Sequence, residues 1–112
     1  MDILVSTDQL ADQIDAPDLR IFDCTVYLRR SDDGPFRIES GRAAFDEGHI
    51  PNSGFIDQVD ELSDLDSDLR FTALEPGPLA AAFAARGVGA DTRVVLYDRA
   101  FNMWATRAWW LL

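Results

Sequence analysis

The chain holds 112 residues, 47% of them apolar, enough for one domain with a real core. Twenty carboxylates against ten arginines and no lysine leave a net charge of −10, a surface that repels phosphate backbones and sets nucleic acid aside as a partner. No stretch approaches the roughly 20 apolar residues that cross a bilayer, and a single cysteine, Cys24, with a single histidine, His49, points away from an internal disulfide, a multi-cysteine metal site or a zinc cluster.

At the amino terminus, MDILVSTDQLADQID has neither a basic front nor a long apolar middle, so no secretory signal is expected and the cytoplasm is the default location. Ile3 to Val5 predict a short strand, and Ser6-Thr7 before Leu10, Ala11 and Ile14 predict a capped helix that Pro17-Asp18 breaks. Leu19 to Phe22 form an apolar run ending at Asp23, as a buried parallel strand does. Residues 29 to 41, polar and interrupted by glycine and proline, are expected to be an excursion over the surface.

A brief helix over Arg42–Glu47 should stop at Gly48. The chain then turns at Pro51-Asn52 and re-enters the core at Phe55-Ile56. In the acidic segment DELSDLDSDLR the aspartates read as solvated turn formers, because the central glycine and final glutamate of a calcium loop are missing. Gly77-Pro78 opens a helix through LAAAFAAR that Gly87 ends. Val94 to Tyr97 is the most apolar strand, and it ends at Asp98.

In the last helix Trp104, Ala105, Ala108, Trp109 and Leu112 share a face, while Trp110 and Leu111 point elsewhere. Such a helix, apolar nearly all round, asks for cover on both sides. Strands separated by helices predict an α/β sandwich with a mostly parallel sheet, whose ligands gather beyond the carboxyl ends of the strands. Asp23 and Asp98 sit at two such ends.

The stretch RAAFDEGHIPNSGFID resembles the rhodanese signature, with Arg42, Phe45, Gly48, His49, Ile50 and Pro51 at matching positions. VDELSDLDSDL and LAAAFAARGVGADTRVVLYD are similar to the acidic loop, helix and central strand that follow in two-domain sulfurtransferases. ATRAWWLL resembles the Arg-x-Trp-Trp pattern in the first, non-catalytic half of thiosulfate and 3-mercaptopyruvate sulfurtransferases. The resemblance runs from about Ile3 to the end. It implies a rhodanese-like three-layer α/β sandwich over residues 1–112, incomplete at its carboxyl end, with a further strand inside the sheet, a helix and a second, catalytic domain beyond. An unfilled strand position would leave buried backbone groups unpaired, each costing about 1–3 kcal/mol, so another domain or another chain should cover the last helix.

In the catalytic half of such enzymes a cysteine after the central strand accepts sulfane sulfur as a persulfide, cradled by backbone N–H groups. The resemblance puts Asp98 at that position here. A sulfur carrier needs a polarisable thiolate with a lowered pKa, which a carboxylate cannot supply, although it can accept the same backbone hydrogen bonds. This chain is therefore expected to hold no catalytic residue, no metal and no cofactor. The small-molecule sulfur donor, thiosulfate or 3-mercaptopyruvate, belongs to the full-length enzyme.

Cys24 is the rival nucleophile. TVYLRR follows it, with no glycine-rich cradle and no helix start, so a small buried hydrophobe is expected. Arg107 is a candidate for binding a substrate anion, with an ion pair inside the last helix as the alternative. His49 is a second substrate-binding candidate, able to act as acid or base, with a turn-fixing hydrogen bond as the alternative. Asn52 replaces the usual glycine after the proline and tolerates left-handed backbone. Gly54 stands where a larger apolar residue is common.

Two other function classes compete. A degenerate domain could act as an interaction module, binding a partner through its tryptophan helix. A receiver-like phosphoacceptor using Asp98 would need an acidic pair and a nearby lysine, and the chain has no lysine.

Overall fold

The computed structural model describes residues 4–32, 34–69, 71–100 and 102–112. Its centre is β1 (Leu19–Asp23), whose apolar run is short enough to be a strand and apolar on both faces. Alternation along this strand divides the core in two. Leu19 and Ile21 face α1 (Thr7–Gln13) and pack with Leu10, whereas Phe22, and Cys24 just beyond the strand, pack with Phe83, Ile56, Leu62 and Ala108. Helices thus cover both faces of the sheet, and the architecture is an α/β sandwich with a parallel sheet.

Before β1, Ser6 caps α1: its hydroxyl accepts from the Gln9 amide at 3.1 Å and the Gln9 side chain returns a bond to the Ser6 amide at 2.9 Å. The strand expected just ahead of it is not found, for Leu4 and Val5 join no ladder and Ile3 lies outside the described residues. Val5 instead packs against the cluster of Leu10, Leu19 and Ile21.

The largest departure from expectation follows β1. Residues 29 to 41 do run over the surface, but as an ordered ribbon: β2 (Val26–Ser31) and β3 (Gly34–Ser40) form an antiparallel hairpin of their own. Solvated ribbons need no apolar run, so polarity concealed it. Local pairs supply the cohesion: Arg29 lies over the Tyr27 ring at 4.4 Å and bonds Glu39 at 3.0 Å. Gly34, at φ +145°, closes the turn in backbone that other residues rarely adopt.

Helix α2 (Arg42–Glu47) begins at Gly41, whose amide bonds the Thr25 carbonyl at 2.8 Å, and it ends at Gly48 as expected. Asn52 takes the left-handed conformation (φ 64°), and its side chain donates to the Ile14 carbonyl and the Asp15 carboxylate, tying the turn to the end of α1. Strand β4 (Ser53–Phe55) then pairs parallel with β1. Asp57, just ahead of the acidic segment, and Asp64 within it accept backbone amides two residues ahead, the Asx-turn pattern.

Two prolines in the first turn open α3 (Pro76–Ala85), and Gly87 at φ +85° closes it. β5 (Arg93–Tyr97) pairs parallel with β1 from Leu19↔Arg93 to Asp23↔Tyr97. The sheet order is β4-β1-β5, continuous among the described strands. β5 is the edge and not the centre of this sheet, so its residues are only half-buried despite their apolarity. No gap interrupts the sheet among the described residues, and β4 and β5 are its two edges.

Helix α4 (Met103–Leu111) buries a narrower stripe than its sequence suggests: Trp104, Ala105 and Ala108 are inside. Trp109 and Leu112 stand about half exposed and Trp110 is 75% exposed. No helix among the described residues is long and apolar enough to cross a membrane.

Candidate functional site

The carboxyl ends of β1 and β5 adjoin, with an acid as the last residue of β1 and another just after β5. At the end of β5, Asp98 folds back over its own loop. Its Oδ1 accepts from the amides of Ala100 (2.8 Å) and Asn102 (3.2 Å), and its Oδ2 accepts from the amide of Ala105 (2.8 Å). Asn102, the residue at the start of α4, is left-handed and makes no side-chain cap. Asp98 therefore caps the helix from a distance, occupying donors that the first turn leaves without intrahelical partners. A ring of backbone N–H groups exists here, and a carboxylate already fills it.

Asp23, at the end of β1, is fully buried. One carboxylate oxygen accepts from the Thr25 amide (2.9 Å) and hydroxyl (2.6 Å), and the other has no hydrogen-bond partner among the described residues. Thr25 in turn accepts the Arg99 amide at 3.0 Å through its hydroxyl and the Gly41 amide at 2.8 Å through its carbonyl. One buried threonine thus joins the ends of β1 and β5 to the start of α2. A Cβ on Gly41 would stand 2.5 Å from the Thr25 Cβ, so the glycine is a requirement of this junction.

Cys24 lies between these two acids with its side chain fully buried. Burial first, and the Asp23 and Asp98 carboxylates after it, push its thiol far above the ordinary cysteine range. Its amide bonds the Tyr97 carbonyl at 2.8 Å, and among the described residues no amide is bonded to the sulfur, which itself meets the Phe22 carbonyl at 3.8 Å. This is an inert thiol.

His49 is exposed on the turn after α2. Its ring stacks on Phe45 (centroids 3.7 Å apart, planes 9° from parallel), and Nδ1 lies 2.7 Å from the Phe45 carbonyl. A carbonyl only accepts, so Nδ1 carries the proton of the neutral ring and Nε2 is left as an acceptor. From the opposite loop, Arg99 reaches across and donates through Nη2 to the Ala44 carbonyl (3.3 Å) and the Gly48 carbonyl. Below, the Tyr97 hydroxyl accepts the Ile50 amide (3.2 Å) and meets the Ser53 hydroxyl (3.2 Å).

Arg107 points away from His49, into a different network. Nη1 bonds the Gln58 side-chain oxygen at 2.8 Å, and Nη2 bonds the Ser63 hydroxyl (3.1 Å) and the Phe71 carbonyl (2.9 Å). These partners are neutral, so the ion pair expected as its alternative role is replaced by hydrogen bonds that carry no opposing charge. Burial accordingly lowers its pKa. Gln58, fully buried, passes the connection on to the carbonyls of Cys24 (3.0 Å) and Trp104 (2.7 Å).

Of the residues singled out from sequence, the structure brings Asp98, Cys24 and Asp23 together and places Arg107 and His49 in separate networks. Thr25, Gln58, Arg99 and Gly41 escaped notice. Asp-x-Thr after a strand is a readable side-chain-to-backbone signal, whereas nothing local marks Gln58 or Arg99, whose partners lie tens of residues away.

The family profile described as rhodanese-like domain matches residues 6–112. The chain is 33% identical to the 3-mercaptopyruvate sulfurtransferase of Escherichia coli, over 96% of this chain and 36% of that protein. It is 34% identical to a probable 3-mercaptopyruvate sulfurtransferase of Pseudomonas aeruginosa (97% and 37%), and 32% identical to a putative thiosulfate sulfurtransferase, SseB, of Mycobacterium tuberculosis (98% and 37%). The crystal structure of SseA from Escherichia coli, described as showing the rhodanese fold and catalytic mechanism of 3-mercaptopyruvate sulfotransferases, superposes with a TM-score of 0.80 at 31% identity, covering 99% of this chain and 40% of that one. The chain thus spans well under half the length of these relatives.

Proposed function

The chain belongs to the rhodanese-like domain family, and on that premise we propose that it is the amino-terminal scaffold half of a sulfurtransferase. The full enzyme moves sulfane sulfur from thiosulfate or 3-mercaptopyruvate to a thiophilic acceptor. A cysteine outside these residues attacks the donor's outer sulfur, a sulfur–sulfur bond forms, and the rest of the donor leaves with the electron pair. The remaining strand, helix and second domain complete the fold and cover α4. A buried, reduced Cys24 accords with a cytoplasmic setting.

One observation carries this reading. The amides of Ala100, Asn102 and Ala105, which could cradle a persulfide, are occupied by the Asp98 carboxylate. His49, exposed and bound through Nδ1, is the residue of this half that contacts the substrate. Arg107, whose guanidinium bonds Gln58, Ser63 and Phe71, acts as an anchor for α4 in place of the substrate-binding role first considered.

Incubation with thiosulfate and cyanide tests the proposal. The full-length protein should form thiocyanate and lose that activity when its downstream cysteine becomes serine, while these 112 residues alone should form none. A persulfide on Cys24 overturns it. A second reading is favoured by the exposure of Trp109 and Trp110: an interaction module that docks a partner on α4. It requires a discrete complex in solution and no sulfur transfer by the full-length protein.

A further inference from the structure

The carbonyls at the end of α2 are shared between two side chains. The Ala44 carbonyl accepts the Gly48 amide (3.2 Å) and Arg99 Nη2 (3.3 Å), the Gly48 carbonyl accepts Arg99 Nη2, and the Phe45 carbonyl accepts His49 Nδ1 (2.7 Å). Arg99 sits in the loop after β5, one residue past Asp98, with its amide held by the buried Thr25. The Gly48 carbonyl that it grips belongs to the peptide bond leading into His49.

We propose that Arg99 is a positioning residue for His49. By fixing the Gly48–His49 peptide and taking the neighbouring carbonyls, it leaves the Phe45 carbonyl to Nδ1 and holds the imidazole flat on Phe45 with the Nε2 lone pair facing solvent. The ring then meets a ligand as an acceptor, suited to a group that brings its own proton, such as a thiol. The link also runs from the Asp98 loop to the imidazole, so the two carboxyl-end loops move as one piece. The functional consequence rests on the reading of His49 as a substrate contact, but the positioning itself does not.

The test uses the full-length protein labelled with 15N at histidine, with the His49 signals identified by their loss in His49→Gln. At a pH alkaline enough for imidazoles to be neutral, long-range proton–nitrogen spectra report which ring nitrogen carries the proton. The wild type should show the Nδ1–H tautomer as the major form. Arg99→Gln should lose that majority, and Arg99→Lys, which can still donate to one carbonyl, should recover it. Both variants keep the backbone amide bonded to Thr25. An Nε2–H majority in the wild type, or an unchanged tautomer in Arg99→Gln, overturns the proposal. A tautomer shift with unchanged sulfur transfer supports the positioning and removes His49 from the substrate site.

Discussion

The Asp98 carboxylate and the Ala105 amide meet at 2.8 Å across seven residues, and this bond closes the first turn of α4 onto the end of β5. Loss of a helix cap costs about 0.5–2 kcal/mol, and amides left without a partner add to that. Asp98→Ala should therefore lower stability by about 2 kcal/mol in urea unfolding. Asp98→Asn, which keeps one acceptor oxygen, should lose about half as much. Equal stability of Asp98→Ala and wild type would remove the capping role.

Cys24 should resist iodoacetamide in the folded chain and react once urea unfolds it, since its thiol is buried and hard to ionise. Its pKa is raised on folding, so the folded state holds the proton more tightly than the unfolded state. The resulting stability is complete below the unfolded value of about 8.5 and is lost as pH rises above it. Urea midpoints should fall between about pH 8 and about pH 10, and Cys24→Ala should flatten that slope. An identical slope in both proteins would count against it.

Two glycines should respond differently to alanine. At Gly41 the added carbon would overlap Thr25 at 2.5 Å, against backbone as well as side chain, and overpacking of this kind costs about 1–3 kcal/mol. At Gly54 the nearest atom is Phe22 Cδ1 at 3.5 Å, an ordinary contact, and Gly54→Ala should be nearly neutral. Thermal unfolding of the pair decides this, and similar losses at both sites would show that the close approach is not the cause.

Gln58→Leu should be among the most damaging single changes. It strips Arg107 of one acceptor, leaves the Cys24 carbonyl without the donor that Gln58 supplied, and takes the second donor from the Trp104 carbonyl inside α4. Each orphaned group costs about 1–3 kcal/mol, so the total should exceed that of an ordinary surface change several-fold. A shift below about 1 kcal/mol in urea would mean that the network relaxes or admits water.

Sheet strands and helices were legible where the sequence repeats a pattern that burial enforces. Leu19 to Phe22 and Val94 to Tyr97 read as strands because each is an apolar run that stops at an acid, and α3 is announced by Gly77-Pro78 and Gly87. The β2–β3 hairpin was not, because pairs such as Arg29 with Glu39 need no apolar face. The Gly-His-Ile-Pro and Arg-Ala-Trp-Trp motifs announced the family, but not that Arg107 would turn inward: its partners Gln58, Ser63 and Phe71 come from a loop whose path only the folded chain defines. The side chain of Arg99 likewise joins residues about fifty positions apart.

All three tryptophans of the chain, Trp104, Trp109 and Trp110, lie on α4. Intrinsic fluorescence is consequently a local gauge of this one helix, blind to the hairpin and to the far side of the sheet. It carries two signals at once, a sheltered indole at Trp104 and a wet one at Trp110. Iodide should quench the second and spare the first, and whatever settles onto the outer side of α4 should shift the emission to the blue and erase that difference.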